Sequence, residues 1–557
     1  MIEQDVPKFA PEGTVVILAK GGPAAKGQIS TEPGSGVPLD DVSFAFIAPG
    51  HVPLGFASPG HVVLGFVGPD GMIARFAQKA TKKALNTKPT GDGKTVIVWQ
   101  DDPGDLATVT RSVPDPSQAP AFDFKRNGKT PAAGHYEPGT PGFRYWTAVE
   151  ALRRAGDFWQ AIIGTVTWQT GSKLPVLLDV GTDFNAFYDR KALNFFHGET
   201  QFGTVYSGES PDIVCHEMGH AVLDAIKPEL WGAASLEAAA FHESFADISA
   251  LLAALQLPEI RSGVLTETAG HLYSSSRLSR LAEQLGAAIR LQNPQAVDSD
   301  CLRNAVNSFT YVDPVQLPHM APASHLSSEP HSLSRLFTGA FFESLAALVS
   351  ATVADTSAPT EADLERVSRR MAELLVEAVR AAPIVSNYYA QLAGELVGSA
   401  TASEAAVLRA VFVRRSILSL ESSMRVVSLQ TGIQHTSAIA AEPRAAAQEP
   451  LTMVAIDARH YGLEKPLLLA SPAQSRTYEV RASASDASSI EPVSALIAAR
   501  AFADDIVRRG RVAFSAEAHE KPKLHIPGRF HTHRIVAEGG DALKLERICF
   551  DCGLRWA

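Results

Sequence analysis

Apolar residues fall in short runs between turns over the first two hundred positions and then switch to helical spacing. Residues 1 to about 90 are rich in Gly and Pro and hold a tandem unit. "PGHVPLGFAS", starting at Pro49, is followed at once by "PGHVVLGFVG", starting at Pro59. A Pro-Gly turn before each short apolar run predicts a small β meander over 1–90. His51 and His61 recur with the unit as turn residues, because neither has an acidic or cysteine partner beside it. "KTVIVWQ" (94–100) predicts a buried strand, followed by a Pro/Asp-rich loop to about residue 135. The stretch 143–164 has helical periodicity. "KLPVLLDVG" and "FNAFYDRKALNFFHG" read as strands with Gly and Asp at their turns.

From about 234 to 420 alanine and leucine return at steps of three and four, which predicts an almost wholly helical region. A polar, alanine-rich link at 430–450 leads to a segment, 445–557, with mixed strand and helix signals. Its one clear amphipathic helix is "ALIAARAFADDIVRRG". The pattern is that of an α+β protein, and 557 residues suggest two to four domains. A β-rich half, 91–222, meets a helical half, 223–425, through a helix that Ser210, Pro211 and Asp212 would start well.

That joining helix reads "DIVCHEMGHAV" (212–222). His216 and His220 lie four apart, on one helical face, so both imidazoles can reach one ion. Glu217 stands about 100° round the helix, beside such an ion. Two imidazoles on zinc with a carboxylate activating its water is one reading; a surface helix with two histidines is the other. The spacing alone leaves both open. The following helix contains "FHESFAD", in which Glu243 can supply a third ligand. Asp247, one turn on, can hydrogen-bond the far nitrogen of a zinc histidine.

Together these motifs resemble those of the thermolysin-like zinc metallopeptidases. The likeness runs from about 140 to 420 in the family's order and covers roughly half of the chain. HEMGH is similar to the family's zinc helix and "ESFAD" to its glutamate-x-x-x-aspartate. "NAFY" (185–188) resembles its substrate-binding edge strand, "DCLRN" (300–304) the segment with its substrate-binding arginine, and "EPHSLSRLFTGAFFESL" (329–345) the helix start with its catalytic histidine. The resemblance implies a two-lobed metallopeptidase core with one zinc per chain on His216, His220 and Glu243. It implies Glu217 as general base and later proton donor, and His331 as hydrogen-bond donor to the oxyanion. Arg303 would hold the substrate carbonyl on the leaving-group side, and Asn185 and Ala186 the substrate backbone. Ile213 and Leu302 would line an apolar pocket, so cleavage before a bulky apolar residue is expected.

The departures from the family pattern also carry expectations. The gap from His220 to Glu243 is a few residues longer than in thermolysin, so the loop between the two helices must bulge. Trp231 stands where an oxyanion-assisting tyrosine is expected, and an indole N–H can still donate. His242 replaces the usual asparagine. Asp212 matches a calcium ligand of the family, but "ALLAALQLPEI" lacks the acids that would complete the site, so calcium is not expected. "HTH" (531–533) and "CFDC" (549–552) raise a second zinc site, although their spacing fits no standard finger. Cys215 reads as a small core residue.

A net charge of −10 argues against nucleic-acid or anionic-membrane partners, and no apolar run is expected to span a bilayer. Peptide or protein is the expected partner. No signal peptide is visible at the start, so the chain is expected to stay inside or leave by a non-classical route. Four cysteines in 557 residues are not a disulfide scaffold. Two alternatives stand beside the endopeptidase: a metallopeptidase fold used for binding without turnover, and a zinc aminopeptidase. The latter would need an acidic anchor for the substrate amine, and no such motif precedes HEMGH.

Overall fold

The structure, a computed structural model, describes residues 89–125, 129–353, 358–419, 451–474, 493–514, 530–538 and 542–553. Of the first 88 residues it describes only the backbone of four short strands. These are β1 (Ile17–Ala19) with β2 (Val42–Phe44), and β3 (Val63–Val67) with β4 (Ile73–Ala77), each pair antiparallel. The first tandem unit, with His51, and His61 of the second lie outside the described residues, and β3 is the apolar run of the second.

The chain is α+β. Strand β5 (Thr95–Trp99) pairs with β6 (Thr108–Ser112), and β7 (Ala121–Phe124) follows. Two strands therefore occupy the stretch expected to be loop. Its prolines, and its aspartates other than Asp123, lie between the strands, where turn-forming residues belong. Helix α1 (Pro141–Ile163), capped by Thr140, packs its aromatic face into the core. Then come β8 (Lys173–Leu177), β9 (Ala186–Tyr188), β10 (Leu193–Phe195) and the hairpin β11 (His197–Thr200) to β12 (Gly203–Tyr206).

Helix α2 (Pro211–Ile226) begins as its sequence predicts: Ser210 Oγ accepts from the Ile213 amide and Pro211 occupies the first turn. A 3₁₀ turn, Pro228–Gly232, takes up the longer connection to α3 (Leu236–Ala254). Both helices are buried on all sides. Gly219 permits their close approach, because a Cβ there would stand 2.7 Å from the Ala246 Cα. The helical region continues through α4 (Pro258–Thr268), α5 (Glu283–Gln292), α6 (Pro330–Thr352), α7 (Glu361–Ala381), α8 (Tyr388–Ser399) and α9 (Ala402–Arg414). A two-stranded pair, β13 (Arg280–Leu281) with β14 (Arg303–Asn304), interrupts it.

Helix α6 corrects one expectation, since it is long and apolar enough to cross a membrane. It is also 83% buried inside the protein over its most apolar window, which is how a central core helix reaches that composition.

Beyond 450, β15 (Thr452–Ile456), β16 (Leu467–Ser471), β17 (Val512–Ala513), β18 (His533–Glu538) and β19 (Ala542–Arg547) form a mixed sheet in the order 15-16-19-18-17. Strand β20 (Phe550–Asp551) leaves that sheet. It adds to a different one, whose order is 20-9-10-8-7. The region 445–557 is thus joined to the first half of the chain through the strand that carries "NAFY".

Candidate metal centre

Helix α2 presents His216 and His220 to α3, and Glu243 on α3 answers them. The Glu243 Oε2 lies 3.3 Å from His216 Nε2 and 3.5 Å from His220 Nε2. Among the described residues this is the one group of histidine, cysteine and acidic side chains that could hold a metal ion. Ligand atoms about 2.1 Å from one tetrahedral ion stand about 3.4 Å apart, so the spacing suits zinc. All three atoms are buried and lack a hydrogen bond within the protein. A buried polar atom without a partner costs on the order of 1–3 kcal/mol, and a shared cation would satisfy all three. The residues present therefore fit the group.

The far nitrogens are held so that the near ones stay bare. His216 Nδ1–H donates to Asp247 Oδ1 at 2.9 Å, leaving Nε2 as an acceptor. His220 Nδ1 lies 2.9 Å from His242 Nδ1, so His242 orients the second imidazole as Asp247 orients the first. Burial drives His220 down to about 4, which keeps it neutral and able to ligate. Burial would raise Glu243, but the facing His331 and His220 outweigh it and hold the carboxyl well below its usual range.

Glu217 sits beside the three ligand atoms with both carboxylate oxygens buried and without a nitrogen or oxygen partner, and only the Cys552 thiol faces them. Burial pushes it up to about 8 before any metal charge is counted. Across the site, His331 Nε2 is 3.4 Å from Glu243 Oε2 and its Nδ1–H donates to Glu329 at 2.7 Å. Burial lowers His331, yet the charges of Glu243 and Glu329 more than compensate and carry it to about 9. Arg509 Nη1 lies 3.5 Å from the same Glu329 oxygen.

The other expected site residues fall as follows. Arg303 grips Asp247 through Nε and Nη2, at 3.0 and 2.7 Å, while its buried Nη1 has no partner. Asn185 is fully buried; its Oδ1 accepts from the Ala186 amide and its Nδ2 donates to nothing in the protein. Ala186 opens β9. Leu302, Arg303 and His331 line a small open cavity with Ala296, Met320 and Glu329. Ile213 is not on that wall and packs in the main core. Trp231 turns its ring edge to Tyr188 and Phe550, at 5.7 and 5.4 Å between centroids.

Sequence reasoning passed over His242 and Glu329 as orienting groups. Glu329 had a visible signal, an acid at the helix start two residues before His331. The paired motifs of the tail separate: Cys549 packs with Phe187, Phe196 and Phe530, whereas Cys552 lies near Glu217. All four cysteines are free, and Cys215 is buried in the core as expected.

Acidic groups do gather around Asp212, although α3 supplies none of them. Asp101, Asp102 and Glu283 approach it from elsewhere, and burial followed by mutual repulsion raises Asp101 and Asp212 well above the usual range. Much of their accepting capacity, though none of that of Asp101, is already in use among the described residues. Asp212 accepts from the Ala282 amide, Asp102 from Ser210 Oγ and the Gly104 and Gln284 amides, and Glu283 from Arg280. Millimolar calcium should therefore leave the melting curve of zinc-loaded protein unchanged. A folded-state ligand at a hundred times its Kd would add about 2.7 kcal/mol, so a clear upward shift would show that this cluster binds the ion.

No protein-family model matches this sequence, and no curated protein matches it.

Proposed function

We propose that this chain is a zinc-dependent endopeptidase of the thermolysin-like, two-lobed kind, with 91–222 and 223–425 as its lobes. The observation that carries the reading is the set of buried, unsatisfied atoms, His216 Nε2, His220 Nε2 and Glu243 Oε2, at zinc-ligand spacing beside the buried Glu217. Three protein ligands leave one position open, as in catalytic sites. Zinc held there would act as a Lewis acid, lowering the pKa of a coordinated water and polarising the substrate carbonyl.

The chain's own residues supply the remainder. Glu217 removes a proton from the attacking water and returns it to the leaving amine. His331, doubly protonated and fixed by Glu329, donates to the oxygen on which charge develops. The free Nη1 of Arg303 is available to the next substrate carbonyl and the free Nδ2 of Asn185 to the backbone, whereas the edge of β9 can take substrate only when β20 gives it up.

The apolar part of the cavity, formed by Ala296, Leu302, Met320, Ala321 and Ala323 beside the polar Arg303, Glu329 and Arg335, should favour leucine or phenylalanine after the cut bond. Burying such a side chain contributes about 1.5–3 kcal/mol, a preference over alanine of roughly tenfold to a hundredfold. Digestion of a peptide library with zinc-loaded protein, read by mass spectrometry with and without a chelator, tests both claims. Internal cuts before bulky apolar residues that vanish with chelator are the expected result. Cuts before Asp or Glu would mean that Arg303 recognises a side chain. Single residues released from N-termini would make the enzyme an aminopeptidase.

A further inference from the structure

The edge of β9 is already taken. Phe550 and Asp551 pair antiparallel with Tyr188 and Phe187, and the Cys552 amide donates to the Ala186 carbonyl at 3.0 Å. His331 Nε2–H donates to the Asp551 carbonyl oxygen. The Cys552 thiol stands beside Glu217 and near Arg303. Gly553 lies against Asn185, so that a Cβ on it would come within 2.8 Å of the amide oxygen. One short segment of the chain thus meets the β9 edge, His331, Glu217 and Asn185, four of the groups that the peptidase reading reserves for substrate.

We propose that Phe550–Gly553 is a built-in ligand of the cleft, bound in the register of a substrate, and that it inhibits the site from within. The proposal rests on the peptidase reading, which makes Asp551 the residue whose carbonyl meets His331 and Cys552 the residue after it. The anchoring is specific on both sides. The Phe550 ring stacks on His242 with centroids 3.8 Å apart and planes 19° apart, and Arg547 covers it with its guanidinium 4.0 Å from the ring centroid. The Asp551 carboxylate pairs with Arg511 at 3.2 Å. Cys549 locks the approach by packing with Phe187, Phe196 and Phe530. Phe550, Asp551 and Cys552 are all buried.

A segment tethered in this way competes at an effective concentration on the order of millimolar, so a free peptide meets only the fraction of molecules whose cleft is open. An acid before the bond, an aromatic before that and a small thiol after it also describe a peptide that should bind in trans.

Gly553→Val is the decisive variant, because Asn185 is buried and pinned by the Ala186 amide and cannot move aside for the new side chain. Asp551→Lys, which sets two cations together at Arg511, attacks the same seating from another contact. In the full zinc-loaded chain, both should raise amide exchange over Ala186–Tyr188 and the kcat/KM for a fluorogenic peptide by at least tenfold. A synthetic peptide of residues 547–553 should inhibit each variant competitively. Trimming of wild type after Asp551, absent from Glu217→Gln, would support the same seating. Unchanged exchange and unchanged rates in both folded variants would overturn the proposal. Faster exchange without peptide hydrolysis in any protein would leave the seating intact and refute the peptidase reading instead.

Discussion

Replacing Glu217 by glutamine is expected to lower kcat by about 10²- to 10⁴-fold while zinc stays bound at one per chain. Glutamine keeps the volume and one acceptor oxygen but cannot take a proton from water. The site offers no substitute base at that point: Asp247 is held by His216 and Arg303, Glu329 by His331, and Glu243 is a proposed ligand. The burial that leaves both Glu217 oxygens without a nitrogen or oxygen partner in the wild type also makes the exchange mild for the fold, because a neutral amide is easier to bury than a charge. Steady-state rates for zinc-saturated wild type and variant, with zinc measured in the same samples, make the comparison. Equal rates would remove Glu217 from the chemistry.

Zinc is also expected to stabilise the fold strongly. At a free concentration a thousand times its Kd, a ligand bound only by the folded state adds about 4.1 kcal/mol. The metal-free site explains why so much depends on it. His216, His220, Glu217 and Glu243 are all buried, and five of their nitrogen and oxygen atoms lack a nitrogen or oxygen hydrogen-bond partner: His216 Nε2, His220 Nε2, Glu243 Oε2 and both oxygens of Glu217. Melting curves of stripped protein with and without added zinc should separate widely. In the variant carrying both His216→Ala and His220→Ala the two curves should coincide, since Glu243 alone cannot hold the ion. An equal zinc shift in that variant would place the metal elsewhere.

The helical half was legible because its signals are local. Ser210, Pro211 and the apolar spacing that follows start α2 where the chain predicts it, and four-residue spacing puts His216 and His220 on one face. Glu243 and Asp247 were readable for the same reason, one turn apart on α3. The loop expected between 101 and 135 hid β6 and β7, since strands as short as five and four residues among prolines leave little periodicity to detect.

What stayed hidden depends on contacts between distant parts of the chain. His242 reads as a mere replacement until its ring is seen against His220 and Phe550. "CFDC" reads as a pair of thiols, yet strand geometry sends Cys549 and Cys552 to different environments, and the pairing of Asp551 with Phe187 has no trace in either segment taken alone. The carboxylates around Asp212 were missed in the same way, being drawn from a loop near 101 and from the start of α5.

The measurement that tests the central claim most directly is the zinc content and coordination of the purified, zinc-loaded chain. Elemental analysis should find one zinc per chain. X-ray absorption at the zinc edge should show two imidazole nitrogens at about 2.0–2.1 Å and a carboxylate oxygen at about 2.0–2.2 Å. Absence of zinc from the wild type, or a coordination sphere unaltered when His216 and His220 are both alanine, would contradict the account.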